Sequence, residues 1–75
     1  MKRPKYVRIM DMHLDLDEGK LIRKETLALA YEIDMRTVQR DIDDLRAYYA
    51  ERTALVGEKE RQIIYDRKER GYRAA

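Results

Sequence analysis

Four apolar residues, Val38, Ile42, Leu45 and Tyr49, recur at intervals of four, three and four. That spacing puts them on one side of an α-helix but on both faces of a strand, so it predicts an amphipathic helix that buries the stripe. Asp34 stands where the first free N–H groups of such a helix need an acceptor and is read as its N-cap. The helix is predicted to run to about Glu51. In a chain of 75 residues one such helix supplies a large share of any core, and the other elements must pack on its stripe.

Size and composition restrict what can surround it. A single domain this small buries only about 60% of its unfolded surface, which leaves little room for an enclosed cofactor or a deep catalytic cleft. There is no cysteine, so neither disulfides nor a Cys-based zinc site hold it together. The expectation is a protein that is not an enzyme and carries no cofactor and no metal. Charged residues are 43% of the chain, yet the net charge is +2, so any surface for a polyanion must come from where the charges lie. They segregate. Lys2, Arg3, Lys5 and Arg8 precede Asp11, Asp15, Asp17 and Glu18, and Arg67, Lys68, Arg70 and Arg73 lie near the end. No apolar run is as long as a membrane span, and the basic N-terminus lacks the apolar core of a signal peptide. A cytoplasmic protein that does not engage membranes is expected.

The remaining elements follow in order. A first helix is predicted from Lys5 to Glu18, with Tyr6, Ile9, Met10, His13 and Leu16 on one face, Leu14 at its border and Gly19 as the stop. His13, the only histidine, lies within that apolar face and is read as a packed structural residue. Asp15, Asp17 and Glu18 lack the spacing of a calcium loop and are read as a solvated helix end. Lys20 to Arg23 is a connector or a brief strand that joins a later hairpin. A second helix is predicted over Lys24 to Glu32, with Leu27 and Tyr31 inward, Ala28 and Ala30 allowing close approach, and Leu29 pointing away. Only Glu32 to Asp34 then separates it from the helix of the stripe, so the two must cross steeply as a helix-turn-helix. Glu32 stands where such turns often carry glycine, and a left-handed backbone there would be strained.

Beyond the third helix, Thr53 to Glu60 is predicted to be a loop hinged at Gly57. Gln62 to Asp66 is rich in β-branched and aromatic residues and is predicted to be a strand. Arg67 to Gly71 is the turn, with Gly71 at positive φ, and Tyr72 and Arg73 begin the return strand. The fold class is mostly α with a small β component: a winged helix-turn-helix of three helices and a C-terminal hairpin wing, occupying 1–75 as one domain.

The face of the third helix opposite its stripe carries Arg36 and Arg40, flanked by Thr37 and Gln39. Forked and amide side chains on the first two turns of an exposed helix suit base edges in the major groove of DNA. Asp43 lies on the same outer side and would repel phosphate, which confines the candidate face to those turns. Asp41 lies nearer the buried edge and is expected to pair with a basic residue inside the fold. Arg46 points sideways, late on the helix.

Leu27-Ala28, the run Ile33-Asp34-Met35-Arg36-Thr37-Val38-Gln39-Arg40-Asp41-Ile42 and Leu45 together resemble the recognition helix of bacterial DeoR-like regulators, above all those with a WYL effector domain. Ile64-Tyr65-Asp66 and Gly71-Tyr72 resemble the wing of the same group. The resemblance covers nearly the whole chain, with Asp34 in place of the usual Ser, Glu32 in place of the usual Gly, and a longer path from Arg52 to Arg61. It implies sequence-specific binding of double-stranded DNA in transcription regulation. Arg36, Thr37, Gln39 and Arg40 would form the recognition surface, and Arg67, Lys68 and Arg70 would meet the backbone or minor groove. It also implies an effector domain or ligand in a region absent from this chain, and it allows a homodimer. The rival reading is a winged-helix protein-interaction module, using Leu29 and the acidic stretch from Asp11 to Glu18.

Overall fold

The computed structural model describes residues 2–57 and 61–75. Three helices, α1 (Lys5–Asp17), α2 (Lys24–Tyr31) and α3 (Met35–Val56), precede two strands, β1 (Ile63–Asp66) and β2 (Gly71–Ala74). The strands pair antiparallel, with Ile63 opposite Ala74 and Asp66 opposite Gly71. The molecule is therefore mostly helical with a small C-terminal sheet, a winged-helix-like layout.

The stripe of α3 behaves as its spacing requires: Val38, Ile42, Leu45 and Tyr49 are all buried. Asp34 is the N-cap, and its carboxylate accepts from the Thr37 N–H at 2.7 Å. Met12 and Leu16 from α1, Ile22, Ile63 and Tyr72 complete the core around the stripe. Ile22 exchanges two backbone hydrogen bonds with Tyr72, at 2.7 and 2.8 Å, so the Lys20–Arg23 segment does join the hairpin, through a single bridge. That bridge anchors β2 beside the start of α2.

Four details depart from the sequence reading. α3 continues through Thr53–Val56, where a loop was expected. Nothing in those residues breaks a helix: the Thr53 hydroxyl donates back to the Tyr49 carbonyl, and only Gly57, left-handed at φ 70°, ends the run. The part of that loop at 58–60 lies outside the described residues. On α1 the inner stripe is the buried Met12 and Leu16 with the half-buried Ile9 beside them, while Tyr6 and Met10 face outward. Apolar residues ring this helix, so polar ties set its rotation: Arg8 to Asp41 of α3, and Asp11 to the Tyr31 hydroxyl of α2. Ala30 is exposed rather than a close-approach position, whereas Ala28 packs on the core.

The fourth departure is in the hairpin turn. The left-handed residue is Arg70, at φ 57°, not Gly71. Gly71 is required for a different reason: a Cβ there would stand 2.6 Å from Leu21 Cγ and 2.9 Å from the Ile22 carbonyl oxygen. The bridge between Ile22 and Tyr72 brings the two backbones too close for any side chain at the preceding position. Glu32 does adopt the left-handed conformation, φ 56° and ψ 46°, as the C-cap of α2. A non-glycine residue held there costs about 1–2 kcal/mol, the strain anticipated for this turn.

Candidate nucleic-acid interface

The α3 N-terminus is built from its cap outward. Hydrogen bonds from the Thr37 side chain and N–H hold the Asp34 carboxyl below its ordinary range, and the charges of Arg36 and Arg40 add to the effect. Thr37 is thus engaged with the cap, and its N–H is not free to receive an anion. Arg36 and Arg40 project from the exposed side of the first two turns, opposite the buried Val38 and Ile42. Neither forms an ion pair or hydrogen bond among the described residues.

The basic residues packed nearest those turns are engaged, whereas Arg52, late on the same helix, is exposed like Arg36 and Arg40. Arg8 is held by Asp41 at 2.7 Å, and that bond is the main cause of its raised pKa. Asp41 therefore has the internal partner expected for it. Lys5 meets Asp44 at 2.6 Å. Arg46 donates from Nη2 to the Ile63 carbonyl at 2.9 Å and lies over the Tyr72 ring, so it ties α3 to the hairpin rather than pointing idly sideways. Lys24 donates to Gln39 at 3.1 Å.

Gln39 departs most from its expected role. Its amide oxygen accepts from Lys24 Nζ and from the Tyr72 hydroxyl at 3.3 Å, and its amide nitrogen donates to Asp43 at 3.1 Å. Both polar ends of the side chain are committed within the fold, joining α2, α3 and β2. As found, Gln39 orients the wing strand against the helix; to read a base it would have to release those partners. Asp43, which would otherwise repel a phosphate, is bound by Gln39 and lies 3.6 Å from Arg46.

The wing places Arg67, Lys68 and Arg70 at an exposed turn. Two bonds fix that turn: the Asp66 carboxylate accepts from the Glu69 N–H at 3.0 Å, and Arg23 donates to the Glu69 carbonyl at 3.1 Å. Arg23 and Lys24, at the start of α2, are the residues that sequence reasoning missed here. Periodicity gave no signal for them, because their partners are 46 and 15 positions away. An open groove of about 270 Å³ runs between the wing and the paired helices, with Arg70 and Tyr65 on one wall and Lys24 and Met35 on the other. The first residue of α3 and the last of the wing turn thus border one depression.

The acidic end of α1 is neutralised locally. Lys20 bridges Glu18 at 3.0 Å and Asp15 at 3.8 Å, Arg61 meets Asp17 at 2.8 Å, and the Tyr31 hydroxyl donates to Asp11 at 2.9 Å. Burial, and then the bond to Asp11, push the Tyr31 pKa up to about 12. His13 Nδ1 lies 2.9 Å from the Tyr49 hydroxyl, a packing role in keeping with its place on the helix. Among the described residues no three His, Asp or Glu side chains are grouped so as to hold a metal ion, and no helix is long and apolar enough to cross a membrane. Leu29 is 83% exposed. Searches of family models, curated proteins and solved structures found nothing that matches this chain.

Proposed function

We propose that this chain binds double-stranded DNA as the winged helix-turn-helix domain of a bacterial transcriptional regulator of the DeoR-like, WYL-associated kind. The carrying observation is the division of labour among its cations. Arg8, Lys5, Arg46 and Lys24 are consumed by internal partners, while Arg36 and Arg40 are left exposed on the first two turns of α3. In this reading Arg36 and Arg40 contact base edges or phosphates in the major groove, where an Arg bidentate to guanine discriminates by about 1–3 kcal/mol. Arg67, Lys68 and Arg70 add phosphate contacts from the wing, which supply affinity without sequence choice and weaken with salt. Thr37 and Gln39 support this face by holding its cap and its wing.

Selection from a random duplex pool tests the proposal. Enrichment of a defined half-site supports it; a pool that stays random while the protein binds no duplex at low salt rejects it. The exposed Leu29 favours the second reading, a protein-docking module. Titration with nonspecific duplex at low salt separates the two, since only the DNA reading requires binding that falls steeply with added salt.

A further inference from the structure

Two further cations stand on the α1 side of α3. Lys2 and Arg3, just before α1, are exposed, and neither side chain forms an ion pair or hydrogen bond among the described residues. The backbone that carries them is nonetheless held. The Arg8 guanidinium grips the Asp41 carboxylate with Nε and Nη2, at 2.7 and 3.3 Å, and donates from Nη1 to the Arg3 carbonyl at 2.9 Å. One nearly buried fork thus ties the basic lead-in to α3. Arg3 also lies close enough to the Tyr31 hydroxyl, at the end of α2, for its charge to oppose the rise in that group's pKa.

Helical geometry fixes which side of α3 this is. At about 3.6 residues per turn, Gln39, Asp43 and Arg46 fall on one flank and Asp41 and Asp44 on the other, with Arg36 and Arg40 between them on the outer face. The first flank carries the hairpin, through Gln39 to Tyr72 and Arg46 to Ile63. The second carries α1, through Arg8 to Asp41 and Lys5 to Asp44. The wing and the lead-in therefore straddle the Arg36–Arg40 face. The carboxylates of the α1 flank are taken up by Arg8 and Lys5, so Lys2 and Arg3 stand there as positive charge in excess.

We propose that Lys2 and Arg3 grip the phosphate backbone of the duplex on the flank opposite the wing, so that the DNA is held on both sides of α3. The inference rests on the DNA reading above. Such contacts fix the register and orientation of the protein on the duplex and carry no sequence choice. Arg8 is the positioning residue of this clamp: its bond to the Arg3 carbonyl orders the lead-in before DNA arrives, which lowers the ordering cost of binding.

The test compares the parent with two double variants, Lys2→Ala/Arg3→Ala in the lead-in and Arg67→Ala/Lys68→Ala in the wing, on a selected duplex. Salt dependence of binding and hydroxyl-radical footprinting are the readouts. Loss of two phosphate contacts should reduce the salt slope by about 2 in each variant, with the melting temperature and the preferred half-site unchanged. Arg3→Lys should keep the parent's slope, because a phosphate contact needs the charge and not the fork. The parent should protect a backbone tract on each side of the half-site; the lead-in variant should lose one tract and the wing variant the other. A parent without salt-sensitive duplex binding overturns the DNA reading and this inference with it. A parent that binds, while Lys2→Ala/Arg3→Ala keeps the full slope and both tracts, overturns this inference alone. Loss of the same tract in both double variants overturns the placement on opposite flanks.

Discussion

The Arg8 guanidinium meets the Asp41 carboxylate through two hydrogen bonds, Nε to Oδ2 at 2.7 Å and Nη2 to Oδ1 at 3.3 Å, and Asp41 is 1% exposed. The pair sets how α1 lies on α3. Removing one partner leaves a buried charge uncompensated, so Arg8→Met should lower stability by about 3–5 kcal/mol. Replacing both by apolar residues, Arg8→Met with Asp41→Leu, should restore most of the loss. Urea unfolding of the single and double variants measures this, and a double variant less stable than either single one would contradict it.

The α3 cap makes a pH prediction. The folded-state pKa of Asp34 is depressed below its ordinary value, chiefly by the Thr37 side chain. A depressed carboxyl contributes stability that is present above its unfolded pKa and lost as pH falls through the folded one. Asp34→Ala should therefore melt lower than the parent at neutral pH, and the difference should narrow as pH falls below the ordinary carboxylate range. Melting curves across that range, with Asp34→Asn as a cap that does not titrate there, provide the check.

Tyr31 acts at the other end of the scale. Its pKa is pushed up to about 12, first by burial and then by its bond to Asp11. The neutral hydroxyl is the form the fold favours, so its contribution is complete below the unfolded value of about 10 and is lost as pH rises through the folded one. The parent should be more stable than Tyr31→Phe at pH 8, and the two should converge by about pH 12.

The wing turn separates stability from binding. Gly71→Ala should destabilise by about 1–3 kcal/mol, because the new Cβ meets Leu21 and the Ile22 backbone. Arg70→Gly relieves a left-handed residue that costs about 1–2 kcal/mol, so it should not lower the melting temperature. If the wing touches phosphate, the same change should weaken duplex binding and reduce the salt slope by about 1. A reduced melting temperature with an unchanged slope would remove Arg70 from the contact set.

What the sequence disclosed divides along a physical line. Val38, Ile42, Leu45 and Tyr49 announce their burial because one face of a helix has a period, and Asp34 announces its cap because the acceptor must sit at one position. Ile63 to Asp66 and the strand after the turn were legible from β-branched and aromatic content. The rotation of α1 was not, since apolar residues surround that helix and only Arg8–Asp41 and Asp11–Tyr31, contacts distant in sequence, choose between its faces. For the same reason periodicity puts Tyr6 and Met10 on the buried face, with Leu14 at its border, although all three are exposed. Spacing sets Arg46 apart from Arg36 and Arg40 as sideways and late on the helix, but only the fold shows that it is bound to the Ile63 carbonyl and lies over Tyr72. Nothing in the sequence links Gln39 to Lys24 and Tyr72, the partners that hold its amide inside the fold.

The central claim is that the cations left unengaged at the front of α3 bind DNA. Arg36→Ala and Arg40→Ala should be titrated with a selected duplex alongside Arg52→Ala, an exposed arginine on the late turns of the same helix. Arg46 is unsuitable as the control, because its loss would loosen the hairpin. The account predicts that Arg36→Ala and Arg40→Ala each weaken binding by about 1–3 kcal/mol, roughly five- to 150-fold, with melting temperatures unchanged and Arg52→Ala near the parent. Three variants that bind equally well, or a parent with no salt-sensitive duplex binding, would contradict it.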